Sequence, residues 1–81
     1  MKYIIFDDIF PVIFNEAIAH KDIKVYGMQP TSAGFVTILP YCDDNDRVHM
    51  TVSCKGESIS LKLKSNEEKD ADIINNTILN Y

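Results

Sequence analysis

Eighty-one residues leave room for one domain, and a chain this short buries only about 60–65% of the surface its unfolded form exposes, so its margin of stability is thin. Hydrophobic residues at 46% and charged residues at 25% exclude a disordered tail. Eight Lys and Arg against twelve Asp and Glu give a net charge of -4, which excludes the basic footprint of a general nucleic-acid binder.

In chain order, Lys2 to Phe6 is rich in aromatic and β-branched residues and predicts a strand. Asp7-Asp8 is a turn signal. Ile9 to Phe14 returns as a second strand, with Pro11 placing it at an edge because proline cannot donate to a ladder. The two carboxylates also interrupt the apolar run that a signal peptide needs, and no stretch approaches the roughly 18 apolar residues of a membrane span. The expectation is a soluble cytoplasmic protein with no membrane contact. Asn15 is placed to cap a helical turn through His20. Lys24 to Gly27 reads as a short extended piece, and Gln29 to Gly34 as a loop by composition.

Phe35 to Tyr41 predicts a strand and Asp43 to Asp46 a turn. Val48 to Cys54 alternates, with Val48, Met50, Val52 and Cys54 to one side and His49, Thr51 and Ser53 to the other. After Lys55-Gly56, Glu57 to Lys64 alternates again, with Ile59, Leu61 and Leu63 inward. Such alternation marks antiparallel strands with one wet face. Ser65 and Glu68 have capping-box spacing, and Ala71, Ile74, Ile78 and Tyr81 form one apolar helical stripe. The predicted fold is α+β, one domain over residues 1–81: an antiparallel sheet of four to six strands with the C-terminal helix packed on one face. Its predicted core is Ile5, Phe35, Val48, Met50, Val52, Cys54, Ile59, Leu61, Leu63, Ile74 and Ile78.

The residues that suggest chemistry do not assemble. Cys42, His49, Cys54 and His20 are zinc-ligand types, but His49 and Cys54 lie on opposite faces of one strand. In a hairpin, Cys42 and Cys54 sit roughly 20 Å apart, beyond a shared metal or a disulfide. Asp43, Asp44 and Asp46 lack the central glycine and closing glutamate of a calcium loop and read as a solvated turn. Gly56-Glu57-Ser58 matches only the start of a nucleophile elbow. Pro30 to Gly34 offers backbone N–H groups to an anion but has no following lysine, and otherwise reads as a turn into the next strand. No cofactor, metal or catalytic residue is expected.

Two surfaces remain as candidates. The turns Asp7-Asp8 and Asp43-Asp44-Asp46 make a compact negative patch if they share one end of the sheet, suited to a basic protein surface. Otherwise they are ordinary solvated turns. The outward sheet face carries Thr51, Ser53, Lys55, Ser58, Ser60, Lys62 and Lys64, which would hold an anionic ligand such as a nucleotide or form an ordinary wet face. Small size, absent staples and the apolar edge from Ile9 to Phe14 favour a homodimer over a monomer.

The segments Ile9-Phe10-Pro11-Val12-Ile13-Phe14, Thr31-Ser32-Ala33-Gly34-Phe35-Val36 and Gly56-Glu57-Ser58-Ile59-Ser60-Leu61 resemble those of small uncharacterised proteins carried by bacteriophages and prophages. Members of that class often inhibit host machinery, including as anti-CRISPR and other anti-defence proteins. The resemblance implies a host bacterial cytoplasm and a protein target such as a defence complex, and it assigns no site residue. The expected function is therefore a non-catalytic inhibitor acting by protein–protein contact. The rival is a binder that sequesters an anionic small molecule on the Lys55, Ser58, Ser60, Lys62 and Lys64 face.

Overall fold

The computed structural model describes residues 1–79. Strands β1 (Lys2–Phe6), β2 (Phe10–Phe14), β3 (Pro30–Cys42) and β4 (Val48–Lys55) form one antiparallel sheet in the order β2-β1-β3-β4. A second, two-stranded sheet pairs β5 (Glu57–Ser58) with β6 (Leu63–Lys64). Helix α1 (Glu67–Ile74) packs on the large sheet and continues as a wider π-type turn, Asn75–Leu79. The α+β prediction, with a C-terminal helix on an antiparallel sheet, holds. Tyr81 of the expected helical stripe lies outside the described residues.

The large sheet is covered on both faces in its middle, which differs from the expected single wet face. Tyr3, Ile4, Ile5 and Phe6 are all buried. Tyr3 and Ile5 meet Val36, Cys54 and Ile74 beneath the helix. Ile4 and Phe6 meet Phe14 and Ala33 on the other face, where Ile23, Val25, Met28, Leu61 and Leu63 cover them. A strand buried on both faces reads as an unbroken apolar run, which is what Tyr3 to Phe6 is.

Several local expectations are corrected. Pro30 to Gly34 is not a loop: it opens β3 and pairs with β1, so the backbone groups of Ser32 to Gly34 serve the sheet and form no anion cradle. Lys24 to Gly27 is a turn closed by Met28 N–H to Val25 O, with Gly27 at φ +79°. Asn15 does accept from Ala17 N–H at 2.8 Å, but the helical piece that follows is only the 3₁₀ turn His20–Asp22. Glu57 to Lys64 breaks into two short strands around a turn, where Lys62 adopts φ +57°. That turn leaves Ile59 85% exposed rather than inward.

The helix begins one residue later than its sequence signal. Asn66 is the cap, accepting from Lys69 N–H at 3.4 Å, and the carboxylate that reaches back to the Asn66 N–H is Asp70 rather than Glu68. Ile74 is fully buried, whereas Ile78 is 40% exposed.

The predicted phase of β4 is right, but the expected core is too long. Val36 pairs with Cys54 and Cys42 with Val48. Cys54 is buried, Val52 is partly buried, and Met50 and Val48 are exposed. Phe35, also expected in the core, is partly exposed on the opposite face. The reason is length. Thirteen strand residues reach about 40 Å at roughly 3.3 Å each, whereas thirteen helical residues reach only about 20 Å at 1.5 Å each. Helix α1 covers the half of the hairpin nearest β1, Ile38 and Val52 still pack on the core, and Asp72 and Asn75 reach the level of Met50, so it is the end of the hairpin that projects beyond the helix.

Candidate functional site

The distal half of the β3–β4 hairpin is the most distinctive surface. The last residue of β3 tied to the N-terminal segment is Val36, whose N–H donates to Met1 O at 2.8 Å. Beyond it, Thr37 to Cys42 has only β4 beside it, so the ribbon is two-stranded. Apolar side chains stand on both of its faces. Leu39 and Tyr41 occupy one face, half exposed at 54% and 50%, and Val48 and Met50 occupy the other, with Cys42 also exposed. Large apolar groups exposed together on one projection mark an interaction surface more often than scattered single ones do.

The tip of this arm is ordered by Asp43. Its Oδ1 accepts from Asn45 N–H at 2.8 Å and Arg47 N–H at 3.0 Å, and its Oδ2 bonds His49 Nε2 at 2.7 Å. The His49 bond foremost, then the Arg47 N–H, holds the Asp43 carboxyl below the usual carboxylate range. The His49 ring stacks on Tyr41 with centroids 5.2 Å apart. Asp44 and Asp46 are exposed, with Asp46 at φ +60°. Asp43 therefore builds the turn, and Asp44 and Asp46 are the acids left for a partner.

The two acidic turns do not form one patch. Phe6, just before Asp7, pairs with Pro30 at the start of β3, while Asp43 follows its end at Cys42. The turns lie at opposite ends of the sheet, on the order of 40 Å apart. Asp7 and Asp8 are also engaged in the fold. Asp7 Oδ1 accepts from Gln29 N–H at 3.0 Å, and Asp8 pairs with Lys69 Nζ at 3.2 Å, which together with Thr31 lowers the Asp8 carboxyl from its ordinary range.

The lysine–hydroxyl face is likewise divided. Ser58 is buried, its Oγ accepting from Leu61 N–H at 3.2 Å and lying 3.4 Å from Ser60 Oγ. Lys55 belongs to β4, whereas Lys62 and Lys64 belong to the separate β5–β6 hairpin. The residues Lys55, Ser58, Ser60, Lys62 and Lys64 thus come from two sheets rather than from one sheet face, with Ser58 turned inward.

One cluster lay outside the sequence reading. Asp70 is 1% exposed and accepts from Tyr3 OH at 2.5 Å, Ser32 Oγ at 2.7 Å and Asn66 N–H at 2.9 Å. Burial foremost, then the Asp70 bond, drives the Tyr3 hydroxyl far above its ordinary value. The network fastens helix to sheet: three donors hold one desolvated carboxylate and leave no lone side chain aimed at a ligand. His20 is also buried, donating from Nε2 to Gly34 O at 3.0 Å between the edges of Phe14 and Phe35. Both histidines thus bond backbone or carboxylate groups, and neither bonds a serine or cysteine among the described residues. Cys42 and Cys54 are both free, six register positions apart on the hairpin. Among the described residues no group of three or more His, Cys, Asp or Glu is placed to hold a metal, and no helix is long and apolar enough to cross a membrane.

No protein-family model matches the chain, and neither a curated protein nor a solved structure matches it.

Proposed function

We propose that the chain is a non-catalytic binding protein that inserts its β3–β4 arm into an apolar cleft with a basic rim on a partner protein. The observation that carries this reading is the arm itself: Leu39, Tyr41, Val48 and Met50 exposed on a ribbon that leaves the core, tipped by Asp44 and Asp46. Tyrosine and methionine supply much of the contact energy in protein interfaces, and exposed acids beside them steer a basic partner into register. The resemblance to small phage-borne proteins supports a bacterial defence complex as the class of target, with inhibition following from occupancy of the cleft.

Capture from a bacterial lysate on the immobilised chain tests the reading. The wild-type chain should retain a partner that Leu39→Lys with Tyr41→Lys loses, while Asp44→Asn with Asp46→Asn weakens capture as salt rises. Equal capture by the arm variant rejects the arm as the binding element.

A second reading rests on a different place. Lys21 and Lys24 border a cleft of about 590 Å³ between Phe6, Val25, Tyr26 and Leu61. An anionic small molecule fits that cleft better than it fits the divided Lys55–Lys64 surface, and a nucleotide raising the melting temperature of wild type but not of Lys21→Gln with Lys24→Gln would favour it.

A further inference from the structure

The two faces of the large sheet are not covered equally well. On the helix face Ile74 lies over Tyr3 and Ile5 and is itself fully buried. On the other face Ile4, Phe6, Phe14 and Ala33 are buried, but the side chains laid over them, such as Ile23, Val25, Met28 and Leu61, are only half-buried. Their outer surfaces line the cleft of about 590 Å³ that Lys21 and Lys24 border, with buried Phe6 also reaching it. Small-molecule sites have volumes of roughly 300–1,000 Å³ and this same make-up, an apolar lining with a few polar groups that fix orientation.

Backbone bonds fix the wall of the cleft. Ile23 N–H donates to His20 O and Met28 N–H to Val25 O, both at 3.1 Å. Gln29 is tied to Asp7 twice, its N–H donating to Asp7 Oδ1 at 3.0 Å and its O accepting from Asp7 N–H at 2.8 Å. A wall held at both ends has little conformational freedom left to lose on binding.

Charge sets the kind of head group. Lys21 and Lys24 line the cleft, Asp22 between them does not, and no other lining residue is charged. The ion pairs among the described residues are Met1–Glu16, Asp43–His49 and Asp8–Lys69, which leaves both ammonium groups unpaired. The hollow beside helix α1 has the opposite character, with Asp8, Glu68 and Asp72 around Lys69.

We propose that the cleft binds an aliphatic carboxylate, its hydrocarbon chain lying on Val25, Met28 and Leu61 above Phe6 and its carboxylate held at the rim by Lys21 and Lys24. The proposal rests on the second reading above, that this cleft takes an anion, and narrows the class of ligand. A nucleotide would press a sugar and a base, rich in hydrogen-bonding groups, against aliphatic side chains that offer none, and a polar group buried without a partner is unfavourable. A hydrocarbon chain instead completes the thin cover over Ile4 and Phe6, and each methylene removed from water adds to the affinity. The β3–β4 arm takes no part.

Isothermal titration calorimetry of the purified full chain with hexanoate, octanoate and decanoate, each below its micellar concentration, tests this. Affinity should rise about tenfold at each step, the effect of two more buried methylenes. Lys21→Glu with Lys24→Glu should bind decanoate about tenfold more weakly than wild type and should bind decylammonium in its place. Its circular dichroism should be unchanged, because both lysines are exposed. Leu39→Lys with Tyr41→Lys should bind decanoate as wild type does, which separates this site from the arm. Affinity that does not grow with chain length, or equal binding of decanoate by the Lys21 and Lys24 variant, overturns the proposal. Adenosine triphosphate raising the melting temperature where decanoate does not would keep the anion site and overturn the aliphatic ligand. Protection by neither overturns both.

Discussion

Replacing Tyr3 with Phe should destabilise the fold by about 1.5–3 kcal/mol, the usual contribution of a hydrogen bond to a charged group. The substitution keeps the ring in the core beside Ile5, Val36 and Ile74 and removes only the hydroxyl that donates to Asp70 at 2.5 Å. Asp70 would keep Ser32 and the Asn66 N–H but lose one of three donors in a site with 1% exposure, where water cannot replace it. A domain of this size is stable by roughly 4–12 kcal/mol in total, so the loss is a large share. At about 4–8 °C per kcal/mol, a ~2 kcal/mol loss lowers the melting temperature by roughly 8–16 °C. Urea unfolding followed by circular dichroism measures it directly. The pH dependence provides a second readout. The Tyr3 hydroxyl titrates higher in the folded chain than in the unfolded one, so its contribution is complete below about pH 10 and is lost as pH rises above that value. The gap between wild type and Tyr3→Phe should therefore narrow on the alkaline side. A loss under about 0.5 kcal/mol, or a gap that widens above pH 10, would refute the idea that this hydroxyl holds an ionised, desolvated carboxylate.

Two further outcomes follow from the same interior. Burial, with the Asp70 charge adding to it, pushes the Cys54 thiol up to about 11 from an ordinary 9.0. Its stabilising share is then complete below pH 9 and lost between pH 9 and about 11, so Cys54→Ala should flatten an alkaline decline of about 2–3 kcal/mol in the unfolding free energy measured with urea. At Gly34, an added methyl would sit 2.5 Å from Lys55 O and 3.2 Å from the Ser65 Cβ, so Gly34→Ala should cost about 1–3 kcal/mol by thermal unfolding, because the obstacle is backbone that cannot swing aside.

How far the sequence could be read is clearest at particular residues. Val48 to Cys54 shows its alternation openly, because neighbouring side chains on any strand must point to opposite faces, and the observed parity agrees. The Asp43–Asp46 turn was legible for a similar local reason: short polar side chains satisfy their own backbone, as Asp43 does for Asn45 and Arg47. Glu57 to Lys64 alternates just as well and yet folds as a turn between two short strands, since periodicity alone does not supply a neighbouring strand. Asp70 looked like a solvated helix acid, because nothing in its own neighbourhood announces that Tyr3 and Ser32 will close over it from 67 and 38 residues away.

The candidate site divides along the same line. Which residues are apolar, which are acidic, and which way each points along β3 and β4 are properties of composition and pleat, and the sequence by itself determined them. Whether those apolar residues are core or surface is a matter of what covers them. The tertiary structure alone decided that, by setting a helix of about 20 Å against a strand of about 40 Å. Strand order and register, also set by the tertiary structure, put the two acidic turns at opposite ends of the sheet and made β4 an edge strand, because topology, not local preference, assigns each strand its neighbours.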